Sequence, residues 1–139
     1  MFGNKKNNPP NHIDTLIGAN TNVKGDIHFR GGLRIDGYVT GDVIAPDNES
    51  STLVLSSEGR IDGAIRVTHV IINGKVSGPI HAQGYLELQE KSQVHGDIDY
   101  GTIKIHLGAL VVGKMIHLQN NHTQQSEKEV PLISSKPES

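Results

Sequence analysis

His28, Arg66, His81 and Asp99 each stand three residues after a glycine, namely Gly25, Gly63, Gly78 and Gly96. Imidazoles and carboxylates gathered in one column could hold a metal ion or relay a proton. A zinc site needs three or four convergent ligands. His28 and His81 are three repeats apart, and no two of the eight histidines fall in adjacent repeats of one column. His95 stands one residue before its glycine. The absence of cysteine excludes disulfides, thiolate metal sites and a cysteine nucleophile. GGLRIDG (31–37) lacks the strand–loop–helix setting of a dinucleotide fingerprint. No nucleophile–base pair stands out. The expectation is no catalytic residue, no cofactor, no metal, and solvated surface histidines.

The glycines belong to a repeat. The pattern apolar-x-Gly-x-apolar occurs at VKGDI (23–27), VTGDV (39–43), IDGAI (61–65), VSGPI (76–80), VHGDI (94–98) and VVGKM (111–115). Its glycines are 25, 41, 63, 78, 96 and 113, a spacing in the range of one coil per repeat. The one long gap holds APDNESS (45–51), a loop composition. A second alternating pair recurs between the glycine motifs: Leu33/Ile35, Leu53/Leu55, Val70/Ile72, Leu86/Leu88 and Ile103/Ile105. Four residues before each glycine stand Thr21, Gly37, Gly59, Gly74, Ser92 and Ala109, all small.

Period-2 alternation in short segments, broken by small residues at fixed offsets, predicts short strands joined by corners. LRIDGYVTGDV (33–43) resembles a hairpin with an Asp-Gly turn. Hairpin turns would not recur in this register, whereas corners of a coil would. The expected fold is all-β, a parallel β-helix (solenoid) of about six rungs with about three strands each. Rungs spaced about 4.8 Å apart make a rod roughly 25 to 30 Å long. Val, Ile and Leu must fill it, since aromatics are only 4% of the 139 residues. The domain is expected over 13–118, with disordered tails at 1–12 and 119–139, which are polar and carry prolines.

A solenoid ends in open strand edges, and monomeric solenoids need polar caps. No amphipathic helix stands at either end. The terminal rungs are apolar instead, through Leu16, Ile17, Val23 and Ile27 at one end and Val112, Met115, Ile116 and Leu118 at the other. These are the expected contacts of an end-to-end homopolymer. His117, in an inward column of the last rung, could make such a contact sensitive to pH.

The enzymatic rivals are hexapeptide acyltransferases and γ-type carbonic anhydrases, whose three hexads make a rung near 18 residues. Phe29 and Ile35 fit the hexad that starts at Val23. Ala45 and Ser51 fit it poorly after Val39, and Ala82 and Leu88 fit it in part after Val76. The small-x-apolar-x-Gly corner explains more. A monomeric adaptor with blocked ends is the other alternative.

The chain resembles the bactofilins, polymer-forming bacterial cytoskeletal proteins. The resemblance covers roughly residues 13–118. It rests on TLIGANTNVKGDI (15–27), LRIDGYVTGDV (33–43), GRIDGAI (59–65), VIINGKVSGPI (70–80) and VHGDIDYGTIKI (94–105), in that order and spacing. It implies a right-handed β-helix. It also implies nucleotide-free assembly into non-polar filaments, and a scaffold that organises cell shape, cell-wall enzymes or membrane proteins. Family members often carry a phenylalanine near the C-terminal end, and the last rung here has none.

MFGNKK (1–6) sets Met1 and Phe2 beside Lys5 and Lys6. The apolar pair could dip into a bilayer boundary while the lysines meet anionic headgroups. Phe at position 2 excludes myristoylation. The family resemblance favours this membrane reading over a plain leader. No apolar run reaches transmembrane length, and no signal-peptide core precedes the repeats. The expected location is cytoplasmic, peripheral to the inner face of the membrane.

Overall fold

Most of the short alternating segments end at a small or polar residue that turns the chain, so strands mostly of two to four residues follow one another around a coil. The computed structural model describes residues 12–119. Rung one holds β1 (Thr15–Ile17), β2 (Asn22–Lys24) and β3 (Ile27–His28). Rung two holds β4 (Gly32–Ile35), β5 (Tyr38–Thr40) and β6 (Val43–Ile44). Rung three holds β7 (Thr52–Leu55), β8 (Arg60–Asp62) and β9 (Ile65–Arg66). Rung four holds β10 (His69–Ile72), β11 (Lys75–Ser77) and the first half of β12 (Ile80–Leu88). Rung five takes the second half of β12, then β13 (Gln93–His95) and the first half of β14 (Ile98–Ile105). The second half of β14, β15 (Leu110–Val112) and β16 (Met115–His117) close rung six.

Every pairing is parallel and joins equivalent strands of successive rungs. Three faces result. The face of β2, β5, β8, β11, β13 and β15 is a separate six-stranded sheet. The other two merge into a ten-stranded sheet, because β12 and β14 run through the third corner without a break. The fold is a parallel β-solenoid with no helix among the described residues.

Register explains the core. Leu33, Leu53, Val70 and Leu86 oppose one another in one inward column, and Ile35, Leu55, Ile72 and Leu88 in the next. The second face adds Val39, Ile61, Val76 and Val94, and the third adds Val43, Ile65, Ile80 and Ile98; all sixteen are fully or almost fully buried. A one-residue slip would turn an entire column out to solvent, so the alternation pins the register. Each such side chain contributes about 1.5–3 kcal/mol by burial.

Both corner columns are explained by what stacks on them. A Cβ on Gly63 would lie 2.0 Å from the Gly41 carbonyl oxygen, and one on Gly78 would lie 2.2 Å from that of Gly63. Only glycine lets the backbone of successive rungs approach so closely. In the other corner the carbonyls of Thr21, Gly37, Gly59, Gly74 and Ser92 each accept the N–H that opens the next rung's β-strand. This corner takes two residues in rungs two and four (36–37 and 73–74) and four residues in the others. That difference accounts for much of the variation in the glycine spacing.

Aspartates bridge rungs beside the glycines. Asp26 accepts the N–H of Asp42, Asp42 that of Ala64, and Asp97 that of Lys114, at 2.8, 2.9 and 3.0 Å. The Ala64 side chain has no acceptor to offer, and the next position is Pro79, which has no N–H to satisfy. The loop in the long gap is shorter than expected from composition, because Ala45 and Ser51 are buried in the wall. Arg30–Glu49 and Arg66–Asp47 contacts at 3.3 and 3.8 Å tie it back to neighbouring rungs. The tails expected at 1–12 and 119–139 lie outside the described residues, except for His12 and Gln119.

Candidate self-association surfaces at the ends of the rod

An inward column needs a rung on each side to be covered. At the N-terminal end Ile17, Val23 and Ile27 are packed on rung two from one side only, and all three are half-buried. Leu16 is not part of that inner surface. It opposes Arg34 in an outward column and is 58% exposed. The other outward residues of this rung are polar: Asn22, Lys24 and His28 are all exposed. Asp14 fastens the lead-in, accepting the Gly32 N–H at 2.9 Å and donating its own N–H to the Gly32 carbonyl.

The C-terminal end is different. Met115 opposes Ile98 in an inward column and is exposed, as the last of its ladder. Leu118 is half-buried and donates its N–H to the Tyr100 carbonyl at 2.7 Å. Val112 and Ile116 oppose His95 and Asp99, so they lie on the outer wall. Three further apolar residues are exposed at this end that were not among the expected contacts. Ile105 ends the inward column of β14, Leu107 sits on the corner at 95% exposure, and Leu110 opposes Gln93 on the outer wall. The signal was present in the outer columns. Asn22, Tyr38, Arg60, Lys75 and Gln93 lead up to Leu110, and Lys24, Thr40, Asp62, Ser77 and His95 lead up to Val112. Only in rung six does the outside of the wall become apolar along these two columns.

Among the described residues the backbone edge is open as well. N–H groups of Gly25, Gly41, Gly63, Gly78 and Gly96 each donate to a carbonyl of the next rung. Gly113 holds the same place in rung six and has no described rung beyond it. The exposed edge is therefore a row of groups able to pair with another chain.

The long faces carry local polar clusters. Asp62 accepts from the Tyr38 hydroxyl at 2.5 Å and from Arg60 Nε at 3.1 Å, and the Arg60 guanidinium lies 5.2 Å from the Tyr38 ring centre. The Tyr38 hydrogen bond, more than Arg60, holds the Asp62 carboxyl below its ordinary range against the opposing effect of burial. Burial would raise the Glu87 carboxyl. Hydrogen bonds from His106 (2.7 Å), Gln89 and Tyr85 outweigh it and hold Glu87 low. Burial, then Glu87, pushes the Tyr85 hydroxyl up.

These clusters tie neighbouring columns together and aim no reactive group into a cleft. His28 and His81 are separated by Ile44 and Arg66 in their column, and His81 meets Asp99 at 3.4 Å. His117 packs against Tyr100 with ring centres 5.5 Å apart and planes tilted by 44°, at the exposed end of its column. Among the described residues no three His, Cys, Asp or Glu side chains come together as a metal site. Met1, Phe2, Lys5 and Lys6 lie outside the described residues.

The arrangement matches known proteins. A family model described as "Bactofilin: Polymer-forming cytoskeletal" matches residues 15–116. Among solved structures the chain is similar to a Thermus thermophilus bactofilin, seen in a cryo-EM reconstruction of its double helical filaments. The TM-score is 0.67 and the identity 28%, over 74% of this chain and 98% of that one. No curated protein matches the sequence.

Proposed function

Because the chain belongs to the bactofilin family of polymer-forming cytoskeletal proteins, we propose that its copies join end to end into unpolarised filaments, like end to like end. The observation that carries this reading is the change of the outer wall in rung six. The backbone alone would accept polar stacking, since rung one of a second copy could continue the ladder of rung six. The outer columns oppose it. In-register polar stacking would set Leu110 on Asn22, Val112 on Lys24 and Ile116 on His28. Pairing two C-terminal ends instead covers apolar wall with apolar wall. Alternating isologous contacts at two different ends give an open filament without polarity. Burial and edge pairing drive such assembly with no nucleotide.

Electron microscopy of the purified chain without nucleotide tests this. Filaments are expected from the native chain, and none from Val112→Arg combined with Leu16→Asp. Discrete triangular particles or a persistent monomer from the native chain would overturn it, the first favouring a β-helix enzyme and the second a monomeric adaptor.

The filament is proposed to act as a scaffold for cell shape on the cytoplasmic face of the membrane. Each tail would dock weakly through Met1, Phe2, Lys5 and Lys6, at about 1 kcal/mol per lysine near an anionic surface. Many tails on one rod turn weak docking into firm attachment. Native filaments should pellet with anionic vesicles and Phe2→Ser filaments should not. Equal pelleting would sink the membrane reading.

A further inference from the structure

Resting on end-to-end assembly, we infer that the two junctions are unequal. The soluble building block is a dimer joined at its C-terminal ends, and the N-terminal junction is the weak, salt-sensitive one that controls elongation. Among the described residues eight large apolar side chains are left exposed, and six of them are at the C-terminal end: Ile105, Leu107, Leu110, Val112, Met115 and Ile116. The described N-terminal end exposes Ile13 and Leu16. Its inward residues are already half-covered, and apart from Leu16 its outer wall is polar, through Asn22, Lys24 and His28.

These surfaces call on different forces. Association by burial scales with the apolar area removed from water and persists in salt. The C-terminal end supplies that area both inside the ladder and on the wall around it. A second copy related by a two-fold axis presents the same collar, so each copy is the partner that the other's surface fits. Lys104, on the outer wall beside Ile105, and Lys114, at the corner beside Gly113, are the cations of this rung, and both are exposed and remain hydrated at the margin. At the N-terminal end, exposed Lys24 and Asp26 stand two residues apart on the rung. A two-fold contact there can place the lysine of one copy against the aspartate of the other. Contacts between exposed charges are weak and are screened at a distance of about 8 Å at physiological ionic strength.

The test compares one-ended variants by sedimentation velocity across serial dilution, with far-UV circular dichroism to verify folding. Ile27→Asp blocks the N-terminal end, and Leu16→Asp, on the outer wall, does so without touching an inward column. Both are expected to give dimers. Val112→Arg, and independently Leu110→Arg, block the C-terminal end and should give monomers at the same concentration. The difference in dimer dissociation constant is expected to be at least about tenfold. Native filaments should shorten to dimers as sodium chloride rises. Monomers from the N-terminal variants, or equally persistent dimers from both classes, would overturn the inference while leaving end-to-end assembly intact. Filaments from both classes of folded variant would overturn end-to-end assembly itself.

Discussion

Gly78→Ala should destabilise the rod far more than a glycine-to-alanine change normally does. The new Cβ would stand 2.2 Å from the Gly63 carbonyl oxygen and 2.6 Å from its carbon. Ordinary contact needs roughly 1 Å more, and the neighbour is backbone rather than a side chain that can swing away. Moving Gly78 outward stretches its own N–H bond to the His95 carbonyl, now 2.9 Å. The positive φ of 150° adds strain for an L side chain. Strain of about 1–2 kcal/mol, overpacking of about 1–3 and a weakened hydrogen bond of about 1 sum to roughly 3–6 kcal/mol. Alanine returns about 0.4–1 kcal/mol by restricting the unfolded chain. The assay is urea unfolding followed by far-UV circular dichroism in the Val112→Arg background, so that assembly adds nothing to stability. Gly18→Ala is the control, because nothing lies within 4 Å of its Cβ position and its φ is ordinary. The control should stay within about 0.5 kcal/mol of the parent, while Gly78→Ala loses at least about 2 at unchanged m-value. A Gly78→Ala midpoint equal to that of Gly18→Ala would refute the close-stacking argument.

Leu55→Ala removes a fully buried side chain stacked between Ile35 and Ile72. It should cost about 2–5 kcal/mol by the same urea assay. Tyr38→Phe removes the main hydrogen bond that holds the Asp62 carboxyl low. A carboxyl depressed on folding stabilises above its unfolded pKa, and that stability is lost as pH falls through its folded value. The variant should therefore be less stable by about 1 kcal/mol at neutral pH, with the gap to the parent closing as acid protonates Asp62. A pH-independent gap in thermal melts would count against this cause. Asp97→Ala leaves the Lys114 N–H without its acceptor. Hydrogen exchange should quicken at Lys114 and in β16 while β8 and β11 keep their protection, and a uniform change would contradict a local corner role.

Much of the fold was legible in one dimension. The Asp-Gly of LRIDGYVTGDV is a two-residue corner between β4 and β5 rather than a strand reversal, as its recurrence indicated. Leu53/Leu55 and Val70/Ile72 stack as the aligned columns required. The ends were legible only in part. Ile17, Val23 and Ile27 lie on the inner surface as apolar residues of a terminal rung should, whereas Leu16, of the same chemistry, faces outward beside Arg34. Leu107 and Leu110 were not named as contacts because an apolar residue counts as core until its column is known to face outward.

Sequence by itself determined the coil, its register, its rung count and the small residues at its corners. Each follows from a local period, and a repeat writes that period many times. Tertiary structure decided which apolar residues of the last rung leave the ladder and form an outer collar. That assignment depends on which face each strand presents. It depends also on where the stack stops, since the same side chain is core when a rung lies beyond it and contact surface when none does.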